Sequence, residues 1–160
     1  MSQTRFINPQ TLGKPPGYTH VVEVTAPGRI VYIAGQLGVD RDGKVVGDFQ
    51  RQAVQTFENL KTALAAVGAQ FRHVVKLNNY LVDRAHLPTF REVRDGYLAE
   101  NDRPGSTTIA ISGLAREGAL IEIEAVAVLP AAARAKAASK AAGKGRTARS
   151  PRRRARPKRR

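Results

Sequence analysis

Apolar residues recur along this chain with two different periods, and the changes between them mark out its elements. Tyr18 to Thr25 alternates and is rich in β-branched residues. Ala26-Pro27-Gly28-Arg29 reads as a turn, and Ile30 to Ala34 gives a second strand, so the two are expected to form a hairpin. Asp40-Arg41-Asp42-Gly43-Lys44 is a loop with a tight turn. Asp48 is placed to cap a helix running to about Val67. Its residues Phe49, Ala53, Phe57, Leu60, Leu64 and Val67 fall at spacings of three and four, one amphipathic face, and Gly68 supplies the stop. A third strand spans His73 to Val82. A second helix begins near Pro88 and buries Phe90, Val93 and Tyr97. A fourth strand covers Ser106 to Leu114, and Arg116-Glu117-Gly118 turns the chain into a fifth from Ala119 to Leu129. The order β-β-α-β-α-β-β predicts an α+β domain: one mostly antiparallel sheet with two helices on one face. Its other face is then left to pack on neighbouring copies.

The fifth strand carries the clearest chemical signal. In Ile121-Glu122-Ile123-Glu124-Ala125-Val126-Ala127-Val128, alternation puts Ile121, Ile123, Ala125 and Ala127 on one face and Glu122 and Glu124 on the other. Two carboxylates on the same face of an apolar strand must reach solvent, a partner or a site that uses them.

Charge divides the chain in two. Of its 27 Lys and Arg, 13 lie in residues 131–160, which contain none of the 13 Asp and Glu, so that tail carries +13 of the formal +14. Residues 1–130 form a nearly neutral domain. Residues 131–160 are an Ala/Lys/Arg-rich tail with no large apolar residue, expected to be disordered in isolation. Arg152, Arg153, Arg154, Arg156, Lys158, Arg159 and Arg160 are its candidate phosphate contacts for weak, sequence-independent nucleic-acid binding. The absence of cysteine excludes disulfides, zinc–thiolate sites and cysteine nucleophiles. With no apolar signal core at the start and no stretch near the roughly 20 apolar residues of a membrane span, a soluble cytoplasmic protein without membrane contact is expected. His20, His73 and His86 lack metal-ligand spacing, so no metal is expected.

Pro16-Gly17-Tyr18, Ala34-Gly35-Gln36, Asn59-Leu60, Val75-Lys76, Pro104-Gly105-Ser106 and Ile121-Glu122-Ile123-Glu124-Ala125 occur in an order and at spacings that resemble the RidA/YjgF (reactive intermediate deaminase, endoribonuclease L-PSP-like) family over roughly residues 5–129. The resemblance implies a chorismate-mutase-like fold and a homotrimer with pockets between subunits. It also implies, for the active branch, cofactor-independent hydrolysis of 2-imino and enamine acids to 2-keto acids and ammonia. By position, Tyr18, Gly35 and Gln36 match pocket residues of the family, and Glu122 matches its water-handling glutamate.

Three positions depart from the pattern. Ala34 stands where the family has a pocket serine. Ser106, followed by Thr107, stands where it has the arginine that grips the substrate carboxylate. Arg94 occupies a helix position that carries asparagine in the active branch. Arg94 fits either a solvated helix charge or a relocated cation; Arg103, one residue out of phase in its strand, cannot simply substitute. These departures resemble subgroups lacking the arginine and predict little activity on 2-aminoacrylate-type imines. Three functions follow: a deaminase-like hydrolase using Glu122, a non-catalytic trimer that binds a small carboxylate or carbonyl metabolite, or a nucleic-acid-associated protein acting through its tail.

Overall fold

The computed structural model describes residues 3–131. Six strands and two helices occur in the order β1 (Gln3–Ile7), β2 (Val21–Thr25), β3 (Arg29–Leu37), α1 (Phe49–Ala65), β4 (Val74–Leu81), α2 (Leu87–Tyr97), β5 (Gly105–Ala110) and β6 (Ile121–Leu129). The strands make two sheets. One contains β1 and β2; the other has the order β3-β6-β4-β5, antiparallel except where β4 and β5 run parallel.

Two expectations need correction. β2 and β3 do not form a hairpin: β2 pairs instead with β1, Gln3 opposite Thr25 and Ile7 opposite Val21. Alternation identifies a strand but not its partner, and β1 is too short and polar at Gln3, Thr4 and Arg5 to have stood out. The connection through Ala26, at φ 49°, redirects the chain rather than closing a ladder. The single five-stranded sheet is likewise replaced by four strands plus a separate pair.

The main sheet has one covered face. Ile121, Ile123, Ala125, Ala127 and Leu129 of β6 are buried there beside Leu77 and Leu81 of β4, against Phe57, Leu60 and Leu64 of α1. α1 begins at Asp48, whose carboxylate accepts the Arg51 amide at 3.0 Å, and Gly68 stands just beyond its end at φ +73°. Gln52, buried in α1, donates to the Gly118 carbonyl at 3.1 Å and accepts the Leu120 amide at 2.8 Å, tying the helix to the entry of β6. α2 lies beside α1, with the Phe57 ring stacked 4.9 Å from Tyr97. Among the described residues nothing covers the other face of the sheet, and Tyr32 is 79% exposed and Ile30 49% exposed upon it.

Candidate functional site

The residues singled out in the sequence fall into two groups on opposite faces of the main sheet. β6 and β5 are separated by β4, and Ser106 is level with Leu77 while Glu122 is level with Tyr80. The two therefore lie two strand spacings apart across the sheet and three residues apart along it, roughly 14 Å in all, with side chains turned in opposite directions.

The first group lines a cleft of about 380 Å³ between α2 and the helix-side edge of β5. Tyr18, Arg94 and Ser106 are all in it, joined by Thr108, Arg84 and Arg91, with Leu81 and Leu87 as apolar wall. Tyr18 arrives on a loop tied to β5 by the Thr19 amide, which donates to the Pro104 carbonyl at 3.2 Å. Gly17 makes this approach possible. Its φ is +89°, and a Cβ there would overlap the Arg94 guanidinium and lie 2.7 Å from Nη1 of Arg103.

Arg94 is neither a free cation nor a solvated one. It is only 4% exposed; its guanidinium carbon stands 5.8 Å from the centre of the Phe90 ring, and Nε donates to Asp95 Oδ1 at 2.9 Å. Arg103 donates to the same oxygen at 2.5 Å. Burial pushes the Asp95 carboxyl up, but hydrogen bonds from Arg94 and Arg103 outweigh it and hold the group below its ordinary value. Arg103 therefore shares the counter-ion of Arg94 and does not take over from the arginine missing on β5.

Asn79 prepares the floor of the cleft. Fully buried on β4, its Nδ2 lies 3.0 Å from Ser106 Oγ, 2.9 Å from the Thr107 carbonyl and 3.1 Å from Thr108 Oγ1. A carbonyl can only accept, so the Thr107 contact fixes the amide orientation. The second N–H is left for the Ser106 and Thr108 hydroxyls, which lie at 3.0 and 3.1 Å and compete for it, so the amide orients these two groups from behind the cleft. Asn79 Oδ1 is buried without a partner, a penalty of about 1–3 kcal/mol that this arrangement carries.

The second group lies on the open face. Thr107 turns there because neighbours in a strand face opposite ways; its hydroxyl accepts from Lys76 Nζ at 2.7 Å. Glu124 accepts from Asn78 Nδ2 at 3.2 Å and from the Tyr80 hydroxyl at 3.3 Å. Desolvation, then the charge and hydrogen bond of Glu124, then the charge of Glu122 push the Tyr80 hydroxyl above its usual value. Glu122 sits across from Tyr80 in the ladder, and its carboxylate rests on Gly35, where any Cβ would overlap Oε1. Gly35 and Gln36 fall within an irregularity of the β3–β6 ladder between Ile33 and Gln36. Asn59 pins the strand beyond it by donating to the Leu37 and Val39 carbonyls at 2.9 and 2.8 Å. Gln36 turns back on the Ala34 carbonyl at 3.0 Å, and Ala34 itself is exposed.

The three histidines have structural partners: His20 Nε2 donates to the Gly13 carbonyl, His73 Nδ1 accepts the Gln70 amide, and His86 stacks on Phe49 at 4.0 Å. Among the described residues no three His, Cys, Asp or Glu side chains gather as metal ligands, and no helix is long and apolar enough to cross a membrane. The basic residues Arg152, Arg153, Arg154, Arg156, Lys158, Arg159 and Arg160 lie outside the described residues.

Sequence reasoning missed Arg84, Arg91, Thr108 and Asn79. A signal for the arginines was present: Arg84, Leu87, Arg91 and Arg94 are spaced by three, four and three residues, one side of a helix.

Comparison with known proteins places the chain. The family described as Endoribonuclease L-PSP matches residues 12–129. Protein DfrA of Myxococcus xanthus is 36% identical over 113 residues, 69% of this chain and 84% of that protein. A 2-iminobutanoate/2-iminopropanoate deaminase of Dermatophagoides farinae is 30% identical over 132 residues, 81% of this chain and 99% of that one. Among solved structures, YyfB of Yersinia pestis, a Rid-family protein of unknown function, superposes with a TM-score of 0.72 at 35% identity, covering 79% of this chain and 98% of its own. The chain therefore belongs to the Endoribonuclease L-PSP family, the RidA/YjgF group that its motifs resemble.

Proposed function

We propose that this protein works as a homotrimer in which the cleft of one copy and the Glu122 face of the next meet around a small carboxylate or carbonyl metabolite. The observation that carries this reading is the make-up of the cleft: its charged side chains are all arginines, its other polar groups are hydroxyls, and no carboxylate lines it. A carboxylate ligand complements such a surface. Assembly through the open face would cover exposed Tyr32, Ile30 and Ile109 and bring Glu122, otherwise on the wrong side of the sheet, to a neighbouring cleft.

In that assembly Arg94, Ser106 and Thr108 hold the ligand carboxylate. Glu122 takes a proton from water and directs the oxygen at the adjacent carbonyl or imine carbon. For an imine, water adds across C=N to give a carbinolamine, with Glu122 passing the proton it took on to nitrogen. The new hydroxyl then gives up its proton, a second proton reaches nitrogen, and the C–N bond breaks as C=O forms. Ammonia and a 2-keto acid are released, the type of chemistry named for the mite relative. The hydroxyl of Ser106 in place of a bidentate arginine weakens the grip on small imino acids. Losing such a contact costs on the order of 2–5 kcal/mol, so binding is expected to outlast turnover.

The test begins with light scattering on the full chain at micromolar concentration. Three copies are expected for the wild type and fewer for Tyr32→Asp with unchanged circular dichroism; a monomeric wild type removes the shared cleft. Glu122→Gln should then impair pyruvate binding or imine turnover more than Glu124→Gln, whose carboxylate is engaged by Asn78 and Tyr80. Equal effects would deny Glu122 its role. A separate reading, resting on the 13 basic and no acidic residues of 131–160, gives the tail a nucleic-acid role. Random-sequence DNA or RNA should bind the full chain but not residues 1–130, with steep inverse salt dependence.

A further inference from the structure

We infer that the ligand of this cleft is a small acid bearing two anionic groups, the second held by Arg84 and Arg91. The inference rests on the reading that the cleft is the ligand site. It goes further by assigning work to two arginines that a single carboxylate does not require.

Three arginines line a cleft of about 380 Å³, a volume suited to a small metabolite. Their surroundings differ. Arg94 is buried and balanced by Asp95. Arg84 and Arg91 are exposed, and among the described residues neither makes an ion pair or a side-chain hydrogen bond that would occupy its guanidinium. The carboxylate next to Arg84 is engaged elsewhere: Asp83 Oδ1 accepts the Ala85 amide at 2.8 Å. Among the described residues Arg84 and Arg91 thus have no ion-pair partner, although Arg91 also borders the pocket of Asp95, Glu100 and Asp102 on its other side. Ser106, Thr108 and Arg94 present further donors in the same cleft.

Local structure fixes this arrangement. Arg84 belongs to the short 3-10 turn Arg84–His86 that leads into α2, and Arg91 and Arg94 follow on the same side about two and three turns later. Leu87, between Arg84 and Arg91 on the same side of the helix, adds an apolar side chain to the cleft lining that they share. Guanidinium groups held against an apolar wall bind carboxylate or phosphate oxygens in paired hydrogen bonds. A monoanion bound at Ser106 and Thr108 leaves Arg84 and Arg91 unmatched; a dianion engages both sets of donors.

The test is calorimetric titration of the full-length protein with pyruvate, 2-oxoglutarate and phosphoenolpyruvate. Both dianions, or one of them, should bind about tenfold or more tightly than pyruvate. A gain for 2-oxoglutarate identifies the second group as carboxylate, and a gain for phosphoenolpyruvate alone identifies it as phosphate. In R84Q/R91Q the ratio of dianion to pyruvate affinity should fall to near one, and R84K/R91K should restore part of it. Every variant carries the same basic tail, so nonspecific anion binding there cancels from the comparison. A wild-type ratio near one overturns the inference while pyruvate binding upholds the broader reading. A ratio that survives R84Q/R91Q also overturns it. Binding of none of the three acids overturns both.

Discussion

One sheet presents two faces that solve different problems. On the covered face of β6, Ile121, Ile123, Ala125 and Ala127 are packed under α1, and every large side chain has a partner within the chain. On the open face of the same strand, Glu122 and Glu124 share the surface with Tyr80, Asn78 and exposed Tyr32. The first face is complete in one copy. The second combines charge, apolar surface and a carboxylate fitted onto Gly35, and this is how a surface that needs another molecule is built. In the assembly proposed above, the donor cleft at the rim of the covered face and the Glu122 group on the open face of a second copy would form the two halves of one site.

The contrast is broken most strongly by core truncation. Phe57→Ala removes a ring stacked with Tyr97 and in contact with Phe71 and Phe90, and should lower unfolding stability by about 3–5 kcal/mol in a denaturant titration. A loss below about 1 kcal/mol would mean that the covered face is not the part that holds the fold.

Gly35→Ala tests whether the open face is equally specified. The added methyl has no room beside the Glu122 carboxylate, so either the strand or the carboxylate must move, lowering stability by about 1–3 kcal/mol. The decisive readout is functional: the variant should reproduce the ligand-binding defect of Glu122→Gln. Wild-type binding in Gly35→Ala would show that the fit between these residues has no functional consequence.

The smallest effect is the most specific to the helix side. The Tyr97 hydroxyl, which donates to Glu58 at 2.9 Å, is pushed up to about 12, by burial first and then by Glu58. An unfolded tyrosine releases its proton near 10.0, so above that pH the folded state retains a proton that the unfolded state has lost. Stability should therefore fall as pH rises from about 10 to about 12, with the full contribution present below 10. Tyr97→Phe should make that fall shallower, leaving the part due to Tyr80, and lower stability at neutral pH by about 0.5–1.5 kcal/mol. Unfolding midpoints for both proteins across this range provide the check, and parallel curves would count against the hydrogen bond.

The sequence by itself determined both α-helices and every strand except β1, the alternation of β6, the cap at Asp48, the stop at Gly68 and the family. Each is written in short-range order: a period of two or 3.6, a residue type at a helix end, or motifs at fixed spacing. Glu122 was legible for the same reason, since a carboxylate within an apolar alternation stands out locally. Which strands pair was decided only in three dimensions, where β1 claims β2 and β6 inserts between β3 and β4. So was the division of the site. Ser106 and Thr107 are adjacent in sequence but face opposite ways, Arg94 is drawn to Asp95, and Asn79 reaches beneath two hydroxyls from the next strand. The Asn79 contacts join residues 27 to 29 positions apart, and strand pairing, which no local pattern encodes, brings them together.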